Sequence, residues 1–190
     1  MKKRIFALIA GAAAMTAAQA QTGMSRGYVG VGIATAETTY TVAGSSNMGD
    51  PGYRASGKIF GGVDINQMWG AELGYTDFRS ANANYSIGAT PGNISSEGHS
   101  WYLAGKASMP INEQFSAFGK LGAARNTISI SSSTVGYNRE DTDTGLYAAI
   151  GAEYRLTPQI ALSLEYERYG KSRDLGPKPD VWTVAAKYSF

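Results

Sequence analysis

Ten charged residues stand at alternating positions within segments of small and apolar residues. Five are basic and five are acidic: Lys58, Lys106, Lys120, Arg155 and Lys187, with Asp64, Glu72, Glu153, Glu165 and Glu167. Residues two apart in a β-strand share a face, so these charges are expected to converge inside a closed sheet. Buried charges are tolerated where they are paired and hydrogen-bonded. The set therefore predicts an internal network of ion pairs that plugs the lumen, and the lining of a selective channel is the alternative.

A second candidate chemistry is nucleophilic catalysis at the single histidine, His99, which adjoins Ser100. A histidine with a serine and a carboxylate can support acyl transfer. Adjacent residues of a strand point to opposite faces, however, and this separates the two side chains. We therefore expect a rim histidine and assign no catalytic residue.

Metal binding has little support in this sequence. One histidine and no cysteine cannot supply a usual transition-metal site. Residues 138–143 carry oxygen ligands of the kind that Ca²⁺ prefers, but they lack the full EF-hand pattern. We expect a solvated loop there, no metal and no cofactor.

Alternating segments joined by short turns must position the charged residues. Three strand pairs are predicted, at 57–66 with 69–78, 101–109 with 115–127, and 145–156 with 160–170, flanked by strands at 27–36 and 181–190. Asn66, Asn112 and Pro158 mark the short turns at a constant spacing of 46 residues. The intervening stretches, 37–56, 79–99, 128–144 and 171–180, are polar and mostly longer. This asymmetry is typical of transmembrane barrels and predicts an all-β, eight-stranded antiparallel up-and-down barrel.

The face opposite the charges is apolar, as in Val29, Val31 and Ile33 of the first strand. Amphipathic rings favour the headgroup level of a membrane, and aromatic residues lie near both strand ends of that face. They are Trp69, Phe115, Tyr154, Tyr188 and Phe190 at one end, and Tyr75, Trp101, Tyr166 and Trp182 at the other. Water-soluble lipocalin-like barrels reverse these faces. Glycines on the charged face, at 30, 32, 62, 74, 122 and 151, are expected to make room for the long charged side chains.

The first 20 residues have the features of a cleavable signal peptide: basic residues at 2–4, an apolar run and Ala18-Gln19-Ala20. Residues 21–190 then form one barrel domain. Without the three basic residues, 14 basic and 15 acidic residues remain, which gives no electrostatic support for nucleic-acid binding. We expect export to the outer membrane of a Gram-negative bacterium, with both mature termini on the periplasmic side.

Three arginines near the predicted outer strand ends are candidates for lipid contact. Arg125 and Arg168 have the outward parity, and Arg79 follows the third strand. Arginine binds phosphate in a bidentate way, and the lipopolysaccharide of the outer leaflet carries phosphates. We hypothesise a lipopolysaccharide contact; snorkelling into solvent is the alternative.

Three segments make the chain similar to the OmpA-like outer-membrane proteins. They are 60–66 with 70–75, 105–112 with 119–122, and 151–161 with 164–166. The resemblance implies a gate-like salt-bridge cluster at Glu72, Lys106, Lys120 and Glu153. Ser163 stands where that family has an arginine, so its gate is not carried over intact. The chain stops after the barrel, so no cell-wall tether is expected, and small barrels of the OmpX or OmpW type are equally apt comparisons.

The last strand carries a further expectation from resemblance to outer-membrane proteins generally. Its aromatic residues Trp182, Tyr188 and Phe190 look like the signal that the barrel-assembly machinery reads. The expected role of the protein is structural or surface-interactive and non-enzymatic, with loops that contact host or surface ligands. A narrow passive channel is the runner-up, and a lipid A-modifying enzyme is third.

Overall fold

Eight antiparallel strands close into a barrel in which every strand pairs with its neighbours in sequence and β8 pairs with β1. The strands are β1 Arg26–Tyr40, β2 Gly52–Asp64, β3 Trp69–Ile87, β4 Thr90–Pro110, β5 Phe115–Ser132, β6 Tyr137–Arg155, β7 Ile160–Tyr169 and β8 Leu175–Ser189. The computed structural model describes the backbone of residues 25–40, 52–87, 90–132, 137–170 and 175–190, and the side chains of 25–36, 54–78, 97–129, 141–170 and 180–190. The predicted fold is confirmed, and the signal peptide predicted at 1–20 lies outside the described residues. Within the described ranges, no helix is long and apolar enough to cross a membrane.

One four-residue turn recurs three times, at 65–68, 111–114 and 156–159, and joins strands at the same end of the barrel. In each turn the side chain of the second residue accepts two backbone N–H bonds. Asn66 Oδ1 accepts from Met68 and Trp69, Asn112 Oδ1 from Gln114 and Phe115, and Thr157 Oγ1 from Gln159 and Ile160. The residue of the third turn that corresponds to Asn66 and Asn112 is therefore Thr157. The equal spacing in the sequence pointed to Pro158, one residue too far along the chain. A side-chain oxygen that accepts backbone N–H bonds stabilises a tight turn locally.

The hairpins at the opposite end are longer than predicted, because the ladder continues into stretches expected to be loops. Strands β3 and β4 pair as far as Ile87 and Thr90, after a register shift between Phe78 and Ala81. Strands β5 and β6 pair as far as Ser132 and Tyr137. Polar residues occupy both parities there, so hydrophobic alternation could not reveal strands. Backbone pairing nevertheless satisfies the N–H and C=O groups of these segments.

The two faces of the strands sort as predicted. Apolar side chains of the outer face are exposed, for example Val31 at 62% and Ile150 at 67%, whereas Lys58 on the inner face is 1% exposed. Outward aromatic rings pair near both ends: Tyr75 with Trp101 and Tyr166 with Trp182 toward the long hairpins, Phe115 with Tyr154 and Tyr188 with Phe190 toward the short turns. A continuous apolar outer surface between two aromatic girdles is the arrangement of a transmembrane barrel.

Candidate functional site

The interior of the barrel holds a cluster of five charged side chains, here called the central cluster. Its members come from four strands: Lys58, Glu72, Lys120, Glu165 and Glu167. Lys120 Nζ lies 2.6 Å from Glu72 Oε1 and 2.7 Å from Glu165 Oε2. Lys58 Nζ lies 2.8 Å from Glu167 Oε1 and 3.4 Å from Glu165 Oε2. Because the partners come from β2, β3, β5 and β7, the pairs cross the bore rather than run along one wall.

Hydroxyl groups supply the remaining hydrogen bonds of the central carboxylates. Glu167 Oε2 accepts from Tyr147 and Tyr169, each at 2.7 Å, and Thr183 donates to Glu167 Oε1. Glu72 accepts from Tyr102 and, at 2.9 Å, from Tyr28. Three carboxylates and two ammonium groups leave one formal negative charge, and these neutral donors compensate for it. Hydrogen bonds to an ionised acceptor are roughly twice as strong as neutral ones.

A second set of charges, the turn-side cluster, lies closer to the short turns. It contains Asp64, Lys106, Glu153 and Lys187. Lys187 Nζ lies 2.6 Å from Glu153 Oε2 and 3.9 Å from Asp64. Lys106 Nζ lies 3.4 Å from Asp64 and 4.0 Å from Glu153. The formal charge of this cluster is zero.

Tyr28 connects the two clusters. Its hydroxyl donates to Glu72 of the central cluster. Its ring lies 5.0 Å from Lys106 Nζ and 4.9 Å from Lys187 Nζ of the turn-side cluster. Ammonium groups within about 6 Å of a ring centroid are attracted to its face. One fully buried side chain therefore contributes to both layers of charge.

Stacked aromatic rings close the interior on the other side of the central cluster. Tyr102 and Tyr147 stack with centroids 4.2 Å apart. Tyr169 meets Tyr147 edge-on at 5.1 Å, and Phe78 packs on Tyr169 at 5.9 Å. We call these four residues the tyrosine layer. Together with the two clusters, the layer fills successive levels of the bore.

The glycines of the inner face serve the aromatic rings, which corrects the prediction that they accommodate charged side chains. A Cβ at Gly30 would meet the Phe60 ring and one at Gly74 the Tyr102 ring, while one at Gly62 would meet both the Ala71 carbonyl oxygen and the Tyr28 phenol. At Gly151 it would meet the Phe118 ring, and at Gly32 and Gly122 mainly the neighbouring strand. The charged side chains are long and flexible, whereas a flat ring needs the whole space over one position.

Arg155 differs from the other nine predicted members of the interior network. It lies exposed at the end of β6, and its guanidinium donates to the Glu113 carbonyl oxygen at 3.3 Å. The predicted balance of five against five is therefore four against five among the charges that the structure brings together. The inward parity of Arg155 was predicted correctly, but at a strand end a long side chain reaches solvent.

Sequence reasoning missed the tyrosines, although a signal for them was present. Tyr28, Tyr102, Tyr147 and Tyr169 all have the inward parity, and the chain contains 12 tyrosines. Phenol groups among buried carboxylates can donate the hydrogen bonds that lysines leave unmade. Of the described buried side-chain atoms, the two that lack a hydrogen-bond partner are Ser100 Oγ and Asn126 Oδ1, and neither belongs to the clusters.

The residues considered for catalysis and metal binding do not come together. Ser100 is fully buried on the inner face, while His99 lies on the outer face with its ring 5.9 Å from that of Tyr75. The side chains of 138–140 lie outside the described residues. In the part of the chain whose side chains are described, no three His, Cys, Asp or Glu residues are grouped so that they could hold a metal ion.

The predicted lipid-contact arginines differ from one another. Arg125 is exposed on the outer face of β5. Arg168 is exposed on β7 and pairs with Asp180 at 3.2 Å. The side chain of Arg79 lies outside the described residues. The outward rings of Trp182 and Tyr188 in β8, and of Phe190 directly after it, lie in the two girdles described above.

The closed eight-stranded sheet, its apolar exterior and its ion-paired interior define the class of small outer-membrane β-barrels. The chain belongs to the outer membrane protein beta-barrel domain family, whose model matches residues 5–190.

Two curated relatives support this assignment. The chain is 31% identical over 192 residues to outer membrane protein P5 of Haemophilus influenzae, covering 91% of this chain and 53% of P5. It is 30% identical over 139 residues to outer membrane protein A of Salmonella typhi, covering 69% of this chain and 39% of that protein. The chain thus spans about half the length, or less, of these relatives. The predicted resemblance to OmpA-like proteins is confirmed for the barrel.

Solved structures give the same fold at low sequence identity. Ail, the attachment invasion locus protein of Yersinia pestis, has a TM-score of 0.57 and 18% identity, covering 88% of this chain and 99% of Ail. That crystal structure is a complex with the heparin analogue sucrose octasulfate. OprG of Pseudomonas aeruginosa has a TM-score of 0.61 and 13% identity, covering 88% and 96% of the two chains.

Proposed function

We propose that this protein is a non-enzymatic outer-membrane barrel with a lumen closed to solutes and with long hairpins that form its interaction surface. One observation carries the first part: the interior charges pair across the bore. Lys58 of β2 reaches Glu167 of β7, and Lys120 of β5 reaches both Glu72 of β3 and Glu165 of β7. A solute would have to break several such pairs to pass. Removing one partner of a buried ion pair destabilises a protein by about 3–5 kcal/mol, so such pairs are costly to leave unmade.

A narrow passive channel is the second candidate, because charged residues do line the interior. Planar-bilayer recording separates the two functions. The plug predicts no stable, high-conductance open state from the purified, refolded protein, and such a state would favour the channel.

The hairpins opposite the short turns support the surface-interaction role. From Phe78 to Ile87, β3 continues for nine further residues, roughly 30 Å of strand at about 3.3 Å per residue. β4 returns alongside it, so the hairpin is a paired ribbon rather than a loose loop. A paired ribbon holds its side chains in register and loses less conformational entropy when a partner binds. The structural likeness to Ail supports the barrel fold of this protein and does not identify a ligand for its hairpins.

Shortening the hairpins tests this role. We would replace 82–95, between the paired residues Ala81 and Ser96, with Asn-Gly, and make a matching change in the β5–β6 hairpin. Adhesion of bacteria displaying each variant to epithelial cells is then compared with that of the parent protein. Loss of adhesion supports the role, whereas unchanged adhesion in both shortened proteins, at equal surface amount, contradicts it.

The orientation belongs to the same proposal. Both ends of the barrel chain lie beside the short turns: Ser189 N–H donates to the Gln159 carbonyl at 2.8 Å and Phe190 N–H to the Gly27 carbonyl at 3.0 Å. We place this end in the periplasm and the long hairpins outside the cell, where Arg125 and Arg168 would meet lipopolysaccharide. Digestion of intact cells with an external protease should then cut the long hairpins and spare the short turns.

We also propose that the aromatic face of β8 is read by the barrel-assembly machinery. Tyr188 and Phe190 present adjacent rings outward, with centroids 5.9 Å apart. Tyr188→Ala combined with Phe190→Ala should lower outer-membrane yield without blocking export. Val184→Ala on the same face is the matched control. Equal outer-membrane yields of the two variants would show that the assembly machinery does not read these aromatic rings.

Catalysis is the least supported alternative, since His99 and Ser100 lie on opposite faces of β4. Mass analysis of lipid A after expression tests it directly. We expect an unchanged acyl pattern, and a new or missing acyl chain would establish an enzyme.

A further inference from the structure

Arg125 is an exposed cation on the outer face of β5. It stands opposite Trp101 of β4 and Thr144 of β6, in the row of the outward girdle that also contains Tyr75. Among the described side chains, the Arg125 guanidinium has no ion-pair partner and no hydrogen-bond partner. A guanidinium at headgroup level has five N–H donors to satisfy.

Arg168 lies on the outer face of β7, two strands away, and has a different environment. Its guanidinium pairs with Asp180 Oδ1 at 3.2 Å, and the Tyr166 hydroxyl donates to the same carboxylate oxygen at 3.0 Å. The positive charge of Arg168 is therefore matched by a carboxylate of the neighbouring strand. The outer face therefore carries a neutralised cation at Arg168 and, among the described side chains, an unneutralised one at Arg125.

The residues above Arg125 add hydrogen-bond donors. The next outward row contains His99, Thr127 and Thr142, and the Thr127 and Thr142 hydroxyls lie 3.3 Å apart. Asp77 begins that row on β3, two strands from Arg125, and Glu97 lies one row farther out on β4. The nearest outward positions to Arg125 are therefore an indole and three threonine hydroxyls rather than carboxylates.

We propose that Arg125, with Trp101 and the threonine hydroxyls of β5 and β6, forms a one-sided binding site for the phosphate of a lipid headgroup. This site rests on the proposed outer-membrane orientation and narrows the predicted lipid contact to one arginine. A phosphate accepts two parallel bonds from the guanidinium and further bonds from hydroxyls. Trp101 fixes the depth at which the lipid is held, because indole rings favour the interface. Arg168 contributes little, since its carboxylate partner would have to be displaced.

The test compares matched variants in nanodiscs of phosphatidylcholine with and without bisphosphorylated lipid A. Lipid A should raise the thermal unfolding temperature of the parent protein. Arg125→Gln should lose most of that increase and bind lipid A about tenfold more weakly, the loss of one charge-assisted contact. Arg168→Gln is the control and should keep the increase. Asp180→Asn, which frees Arg168, should enlarge it.

Four outcomes would overturn the site. The first is an equal loss in Arg125→Gln and Arg168→Gln, and the second is an equal effect of dephosphorylated lipid A. The third is the same increase from inorganic phosphate alone, which would indicate a site for soluble anions. The fourth is an increase that Arg125→Gln leaves intact. Each of these would leave the closed lumen and the hairpin role standing, because conductance and adhesion test those separately.

Discussion

At the scale of single residues, the interior depends on how two neighbouring lysines are separated. Lys106 and Lys120 are directly opposite in the β4–β5 ladder, and both point inward. Like charges opposite one another in a sheet are destabilising. Here the two ammonium groups diverge, one to the turn-side cluster and the other to the central cluster. Each therefore needs its own carboxylates.

Lys120 is the residue whose loss should cost most. Lys120→Met leaves Glu72 and Glu165 without their shared ammonium and should lower the free energy of unfolding by about 3–5 kcal/mol. Combining it with Glu165→Gln should cost less than the sum of the single changes, since the two groups interact. Urea unfolding in lipid vesicles measures both, with Leu121→Met on the outer face as control. A loss below about 1 kcal/mol would contradict the cluster's buried pairing.

The inner glycines allow a second test at this scale. A Cβ at Gly74 would collide with the Tyr102 ring, whereas one at Gly57 would have nothing within 4 Å. Overpacking a filled interior costs about 1–3 kcal/mol, so Gly74→Ala should destabilise the barrel by that amount. Gly57→Ala should be neutral or slightly stabilising. Equal stability of the two variants would show that the ring is not fixed over Gly74.

The parity of single residues was predictable, but their partners were not. Alternation alone assigned nine interior charges to the correct face, because each strand of a membrane barrel has one side facing the interior and one side facing lipid. Which lysine meets which glutamate depends on the shear between strands, and the sequence contains no local signal for it. The tyrosines were overlooked because their rings suit both a girdle and an interior.

At the scale of elements, the three short turns repeat one hydrogen-bonding pattern. Asn112→Ala removes the acceptor of the Gln114 and Phe115 N–H groups and should destabilise the hairpin by about 1 kcal/mol. Asn66→Ala and Thr157→Ala should have similar effects on their own hairpins, because each removes the acceptor of two backbone N–H groups. Gln114→Ala is the control for Asn112. If Asn112→Ala unfolds at the same urea concentration as the parent, the side-chain oxygen contributes nothing.

Strand membership inside the apolar band was predictable to within a few residues, whereas the outer strand ends were not. The girdle residues Tyr75 and Trp101 mark where hydrophobic alternation stops, and the ladder continues past them to Ile87 and Thr90. Polar residues occupy both parities of these outer segments, so no apolar pattern specifies the pairing. The short turns were easier to predict, because turn-forming residues such as Asn66 and Asn112 mark them in the sequence.

At the scale of the whole molecule, three filled levels of the interior support the proposal of a closed lumen. The turn-side cluster, the central cluster and the tyrosine layer follow one another along the bore, and Tyr28 joins the first two. An eight-stranded barrel is just wide enough for side chains to fill. The closure that we propose would therefore result from strand number together with inward side chains of complementary charge.

The conductance of single refolded barrels in a planar bilayer tests the closed lumen most directly. A closed lumen predicts no stable open state for the parent protein. Measurable opening is expected when Tyr102→Ala and Tyr147→Ala remove the stacked pair of the tyrosine layer and Lys120→Met breaks the central cluster. Heat-dependent gel migration would confirm that each variant is folded before recording. A stable, high-conductance state in the parent protein would contradict the closed lumen.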